Sequence, residues 1–206
     1  MPKVLISDKL SKSAIDIFKK NKIETTYRPG LSHENLLKEI NNYDGLAIRS
    51  ATKVTEAVFK NAKNLKIVGR AGIGTDNIDK LAATKNGVII MNTPFGNAVT
   101  TAEHAIALIM SLVRMIPQAD NSTKQGKWEK SKFNGTEING KYLGLIGCGN
   151  IGSIVASRAL GLKMKVLSYD PFLTQEKASE LGVEKVNLDY LLSNSDIISL
   201  HTPLTE

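Results

Sequence analysis

The stretch Tyr142-Leu-Gly-Leu-Ile-Gly-Cys-Gly-Asn-Ile-Gly152 leaves a chain few ways to fold. An apolar run at 143–146 enters Gly147-x-Gly149-x-x-Gly152, a helix-compatible stretch follows at 150–160, and a second apolar run at 165–169 ends on Asp170. Strand, glycine turn, helix, strand and acid, in that order, are what a dinucleotide site requires. Gly147 permits the tight turn, Gly149 lets the backbone approach a pyrophosphate, and Gly152 lets the helix pack closely on the strand. Asn150 and Ile151 lie in the first turn of that helix, whose unpaired N–H groups and positive dipole end face the phosphates. Asp170, eighteen residues past Gly152, can accept both ribose hydroxyls of an adenosine. Its charge opposes a 2′-phosphate, so NAD is expected rather than NADP.

The rest of the chain supports an α/β architecture. Residues 1–97 alternate short β-like runs (4–7, 23–27, 45–49, 66–70 and 88–91) with helical patterns at 11–20, from 32 onward, at 55–62 and at 78–86. That alternation predicts a parallel sheet covered on both faces. Residues 98–116 carry the longest helical pattern, apolar on nearly every side and ending before Pro117, which predicts a helix buried all round. Residues 119–140 turn polar and irregular around the single Trp128, as in a functional or interface segment. Beyond the glycine unit come a helix at 174–181, a run at 183–186, a helix at 188–193 and a strand at 196–200. These supply only one half of a doubly wound dinucleotide domain, so the reading is of a truncated one.

Composition excludes several function classes. The formal net charge is +7, but the lysines are scattered and aromatics are few, which argues against a nucleic-acid groove. No apolar run approaches the roughly 20 residues of a membrane span, so no membrane partner is expected. The single cysteine, Cys148, precludes an internal disulfide and suits a reducing, cytoplasmic setting. No metal site is assigned.

Several motifs beyond the glycine loop resemble one family. They are Arg49-Ser-Ala-Thr-Lys-Val54, Val68-Gly-Arg-Ala-Gly-Ile-Gly-Thr-Asp-Asn-Ile-Asp79, Met91-Asn-Thr-Pro-Phe-Gly-Asn97, Gly126-Lys-Trp-Glu129, Phe133-Asn-Gly-Thr-Glu137, Tyr169-Asp-Pro171 and His201-Thr-Pro-Leu204. In order and along the whole chain, they are similar to the D-isomer-specific 2-hydroxyacid dehydrogenases. The segments at 49–53 and 126–129 resemble the D-3-phosphoglycerate dehydrogenase branch. The resemblance implies a flavodoxin-like substrate domain at 1–97, lacking its C-terminal return helix, and a truncated Rossmann-type NAD-binding domain at 98–206. It implies a homodimer or homotetramer, with 119–140 as the dimerisation arm. The implied reaction is NAD-dependent oxidation of 3-phospho-D-glycerate to 3-phosphohydroxypyruvate, the first step of L-serine biosynthesis.

By the same resemblance Arg49, Ser50, Lys53, Arg70 and Gly72 bind the anionic substrate, whose phosphate and carboxylate suit guanidinium forks. The alternative for Arg49 and Arg70 is that they close their strands in surface ion pairs. The cofactor contacts carried over are Ile73, Asn150, Ile151, Asp170 and Thr202, beside Gly147, Gly149 and Gly152. Three positions depart from the family pattern. Ile73 replaces a small polar residue, Asn150 stands where many members have Arg, and Lys130 stands where an Arg often reaches the neighbouring subunit. Among the histidines, His33 reads as a surface residue, His104 as a core histidine and His201 as a strand-closing neighbour of the cofactor. The family's catalytic Arg, Glu and His fall beyond residue 206, so this chain carries no catalytic residue and is expected to be inactive alone. Other readings are a hydroxypyruvate or glyoxylate reductase, a D-lactate dehydrogenase, or a non-catalytic NAD-sensing module on the same fold.

Overall fold

The computed structural model describes residues 1–203, and the chain divides into two compact units, Met1–Asn97 and Ala98–Glu206. In the first unit, strands and helices alternate: β1 Lys3–Ile6, α1 Lys12–Lys20, β2 Glu24–Tyr27, α2 His33–Glu39, β3 Gly45–Ile48, α3 Glu56–Asn61, β4 Ile67–Arg70, α4 Lys80–Lys85 and β5 Ile89–Asn92. Side chains set where these helices begin: the hydroxyls of Ser11 and Ser32 and the carboxylate of Asp79 accept the N–H three residues on, at Ala14, Asn35 and Ala82. The strands form one five-stranded sheet in the order β2-β1-β3-β4-β5, every pair parallel. This is the flavodoxin-like winding, which reverses direction between β1 and β3. Leu5, Leu46, Ile48 and Val68 from the strands meet Val58 and Phe59 from α3 in a core from which water is excluded.

The second unit comprises α5 Ala98–Val113, α6 Ile116–Lys124, β6 Tyr142–Ile146, α7 Asn150–Gly161, β7 Lys165–Tyr169, α8 Gln175–Leu181, β8 Glu184–Lys185, α9 Leu188–Asn194 and β9 Ile197–Leu200. Its four-stranded parallel sheet runs β8-β7-β6-β9, so in chain order the strands lie third, second, first, fourth. That is the opening portion of the Rossmann order, and its winding reverses between β6 and β9. Leu143 and Leu145 from β6 pack with Val155, Ala156 and Ala159 from α7 and Val166 from β7. On the other face Gly144 lets α9 lie close, because a Cβ there would overlap Ser195 and Leu191.

Two expectations fail in this unit. The helix over 98–116 is not buried all round: α5 buries Ala98, Ala102 and Ile109, while Leu108 and Leu112 stand exposed. Its pattern is apolar on both faces, but only one face meets α7. The segment 119–140 is not irregular throughout, because residues 116–124 form α6. Pro117 starts this helix rather than only ending the previous one, since an N–H is dispensable in a first turn. Met115, with φ 53°, makes the break, and the two helices meet at 64°. No single helix among the described residues is long and apolar enough to cross a membrane, and this bent pair reaches the length only by including the polar α6. From Gly126 the chain returns to the core at Ile138, leaving Trp128 exposed.

Candidate functional site

The second unit gathers its functional residues where β6, β7 and β9 end. Gly147 has φ 93°, and a Cβ there would come 2.6 Å from the His201 carbonyl oxygen and 2.8 Å from the Thr202 methyl. Gly147 and Thr202, distant in sequence, therefore meet at the point where the winding reverses. A Cβ on Gly152 would overlap the Gly147 carbonyl, so close packing of α7 on the turn requires glycine. Gly149 is different: no atom lies within 4 Å of where its Cβ would be. Nothing inside the protein calls for a glycine there, and the open space lies where a pyrophosphate would approach.

Asp170 is fixed for its task. Its Oδ2 accepts the Cys148 N–H and its Oδ1 the Phe172 N–H, both at 2.8 Å. Each carboxylate oxygen has a further lone pair, which leaves two acceptors for two hydroxyls. Gly149 caps α7 without a side chain, so the N–H groups of Asn150 and Ile151 are not covered by a capping group. The residues present thus fit an NAD adenosine and pyrophosphate: open backbone, helix N-terminus and a held acid. The Cys148 thiol is buried, and burial pushes its pKa up, which keeps it protonated.

His201 closes β9 half-buried, with its Nε2 2.9 Å from the Ser199 hydroxyl. Burial lowers its pKa from 6.5. As pH falls below 6.5 the unfolded chain takes up this proton while the folded chain refuses it, so stability drops until the lower, folded pKa is passed. Thermal unfolding between pH 7 and 5 is expected to show this loss, and His201→Gln to remove it. An unchanged slope in the variant would show that another group is responsible. His104 is exposed on α5, which corrects the expectation of a core histidine, and His33 is exposed at the start of α2. Lys130 lies exposed in a 3-10 turn at Lys130–Lys132. The Leu204 end of the 201–204 motif lies outside the described residues.

In the first unit the sequence-predicted residues follow the carboxyl ends of β3 and β4, where parallel sheets gather ligands. Arg49 and Ser50 are exposed directly after β3, and the Arg49 guanidinium makes no ion pair among the described residues, though its backbone N–H donates to Asp8. Arg70 is placed otherwise. Its side chain is only 10% exposed and its Nη1 donates to Asp76 Oδ1 at 2.7 Å. That hydrogen bond is the main cause holding the Asp76 carboxyl below its ordinary pKa of 3.8. Arg70 thus pairs with Asp76 through Nη1, while its buried Nε has no hydrogen-bond partner among the described residues. Lys53, in the same loop as Arg49, lines a cavity of about 370 Å3 with Leu31, His33, Leu36 and Thr55. Gly72 accepts the Thr93 N–H at 3.0 Å through its carbonyl, and half-buried Ile73 accepts the Asn92 side-chain amide at 2.7 Å.

Four polar residues that sequence reading passed over organise these loops: Asp8, Asp76, Asn77 and Asn92. Asp8 had a visible signal, an acid directly after the apolar run of β1. The other three lie within the motifs at 68–79 and 91–97, but their partners across turns and strands are set only by the fold.

Comparison with known proteins gives the same family from independent directions. Residues 4–195 match the family model described as "D-isomer specific 2-hydroxyacid dehydrogenase, catalytic domain". A D-3-phosphoglycerate dehydrogenase of Archaeoglobus fulgidus is 50% identical over 204 residues, which is 99% of this chain and 39% of that protein. One from Bacillus subtilis is 46% identical over 207 residues, 100% of this chain and 39% of that protein. The chain thus spans about two-fifths of the length of these curated relatives. The NAD+-bound 3-phosphoglycerate dehydrogenase structure from Entamoeba histolytica superposes with a TM-score of 0.80 at 30% identity, covering 100% of this chain and 64% of that one. With its two parallel sheets, its glycine turn and this match over most of its length, the chain belongs to the D-isomer specific 2-hydroxyacid dehydrogenases.

Proposed function

We propose that this sequence serves an NAD-dependent D-3-phosphoglycerate dehydrogenase, which oxidises 3-phospho-D-glycerate to 3-phosphohydroxypyruvate at the entry to L-serine synthesis. Residues 1–97 act as the substrate-binding domain and 98–206 as the first part of the NAD-binding domain. The observation that carries the reading is the Arg49–Lys53 loop. It sets an unpaired guanidinium and a hydroxyl beside the winding reversal of a flavodoxin-like sheet. Relatives 46–50% identical that are phosphoglycerate dehydrogenases support it.

NAD, when bound, supplies the hydride acceptor. This chain's own residues bind and orient. Asp170 takes the adenosine ribose, and the Gly149 backbone and the first turn of α7 take the pyrophosphate. Thr202, beside the glycine turn, flanks the cofactor with a side chain that carries no charge. Arg49 and Ser50 hold one anionic end of the substrate, and Lys53 adds positive charge. Among the described residues no histidine is paired with a carboxylate. The isolated 206-residue polypeptide is expected to bind its ligands without turnover. NADH formation from phosphoglycerate by that polypeptide would overturn this part of the reading.

Calorimetric titration of the chain with 3-phosphoglycerate tests the substrate assignment. Arg49→Ala is expected to weaken binding by about 10- to 100-fold, the loss of a charge-assisted pair, and Arg49→Lys by less, since charge is kept and the fork is lost. Binding of D-lactate as tight as that of phosphoglycerate would sink it. Two copies associate through the exposed apolar side chains of α5, α6 and the following loop. There Leu112 is 72%, Ile116 51% and Trp128 85% exposed, more than an isolated surface favours. Light scattering that reads a monomer would remove this proposal. The enzyme works in the cytoplasm, which cell fractionation checks.

A further inference from the structure

The loop that follows β3 is held by two side chains that divide its backbone between them. Asp8, 4% exposed at the end of β1, takes the donors: its Oδ2 accepts the Arg49 N–H at 2.6 Å and the Thr52 N–H at 3.2 Å. Its Oδ1 accepts the Thr52 hydroxyl at 2.8 Å, and that hydroxyl lies 2.9 Å from the Ser7 hydroxyl. Asn77 takes the acceptors: its side-chain amide donates to the Arg49 carbonyl at 2.8 Å and to the Thr52 carbonyl at 2.6 Å. The same two residues, Arg49 and Thr52, are thus gripped at N–H and C=O from opposite sides. Arg49 and Ser50 are left exposed. The bonds from Thr52 to Asp8 are buried, and buried donors and acceptors are expensive to leave unmatched, so the grip fixes the loop's shape at Thr52.

Asn77 also joins this loop to the next one. Its own carbonyl accepts the Val54 N–H at 2.8 Å, and the stretch leading to it contains Gly72, Ile73 and Asp76, with Asp76 tied to Arg70. The backbone that presents Arg49 is therefore continuous, through one amide side chain, with the backbone that presents Ile73.

We propose that Asp8 and Asn77 are positioning residues for substrate binding: together they set the Arg49–Thr52 backbone so that Arg49 and Ser50 meet the anionic substrate. This rests on the substrate reading given above for Arg49. The two variants differ in what they leave unmatched. In Asp8→Asn the remaining carbonyl oxygen can accept both N–H groups. The new amide has two N–H donors and finds one acceptor, the Thr52 hydroxyl, so one buried donor is left without a partner while the backbone bonds are kept. In Asn77→Asp a carboxylate faces two carbonyl oxygens, and no rotation pairs them.

The test uses the 206-residue chain and both variants, with three readouts: thermal unfolding, calorimetric titration with 3-phosphoglycerate and with ADP-ribose, and amide hydrogen exchange at Arg49 and Thr52. ADP-ribose reports the second unit alone. Asp8→Asn is expected to lose phosphoglycerate affinity by roughly 3- to 10-fold, the scale of one unmatched buried donor, with ADP-ribose affinity unchanged. Asn77→Asp is expected to lose phosphoglycerate affinity by roughly 10- to 100-fold, the scale of a misplaced binding group, with ADP-ribose affinity unchanged. The Arg49 and Thr52 amides should exchange slowly in the parent, somewhat faster in Asp8→Asn, whose neutral oxygen is the weaker acceptor, and fastest in Asn77→Asp. The proposal is overturned if Asn77→Asp keeps phosphoglycerate affinity, whatever happens to its melting temperature. It is also overturned if the two amides exchange alike in all three proteins. If the parent binds no phosphoglycerate, the substrate reading fails, and with it the role in binding, while slow exchange in the parent that quickens in Asn77→Asp would still establish the grip on the loop.

Discussion

Asp170→Ala is expected to weaken NADH binding to this chain by about 100-fold or more. A carboxylate hydrogen-bonding two ribose hydroxyls contributes roughly 1.5–3 kcal/mol per bond, and each 1.4 kcal/mol is about tenfold in affinity. The substitution also strips the Cys148 N–H of its acceptor, so the glycine turn keeps only its backbone bond from the Gly147 N–H to the Tyr169 carbonyl as a tie to the end of β7. Charge and shape can be separated. Asp170→Asn keeps an acceptor for one backbone N–H but no longer repels a 2′-phosphate, so NADPH should gain on NADH in that variant. Fluorescence titration with both nucleotides reads the two effects. Equal affinities of the parent for NADH and NADPH would show that Asp170 does not face the ribose.

Gly152→Ala is expected to cost the second unit about 3 kcal/mol, because the added methyl meets a backbone carbonyl, which cannot rotate away, and not a flexible side chain. For a unit of this size the transition should fall by roughly 10–20 °C. Gly149→Ala is the contrast. Its Cβ would enter open space at ordinary φ, so the unit should unfold where the parent does while NADH binding weakens. A melting temperature lowered equally by both would mean that Gly149 serves packing, and that its open surroundings say nothing about a ligand.

The sequence carried much of this because local chemistry determines it. Alternating short apolar runs and capped helices placed every strand within a residue or two of where it lies. The acid after β7 and the spacing of the three glycines marked the nucleotide site before any strand was paired. The order of strands was not legible, since β6 pairs with both β7 and β9 through contacts that leave no mark on either run. Helices α5 and α6 were misread for a related reason. An apolar surface looks the same whether or not something covers it, and Pro117 is compatible with both the end and the start of a helix. On the substrate side, Arg49 and Arg70 are indistinguishable as strand-closing arginines. Only the fold brings Asp76 to the guanidinium of one and Asp8 to the backbone of the other. Asp8 and Asn77 lie 41 and 28 residues from Arg49, so their convergence belongs to tertiary structure alone.

The exposed Arg49 in a loop gripped from both sides and the held Asp170 at the nucleotide turn together predict a definite preference. The most direct measurement is kcat/KM with NAD for 3-phosphoglycerate against D-lactate and D-glycerate, made on the enzyme that carries this sequence. Phosphoglycerate should be preferred by about 100-fold or more, the discrimination available when a charged group is left unpaired by the wrong substrate. A preference for an unphosphorylated acid, or NAD binding with no turnover of any of the three, would contradict it.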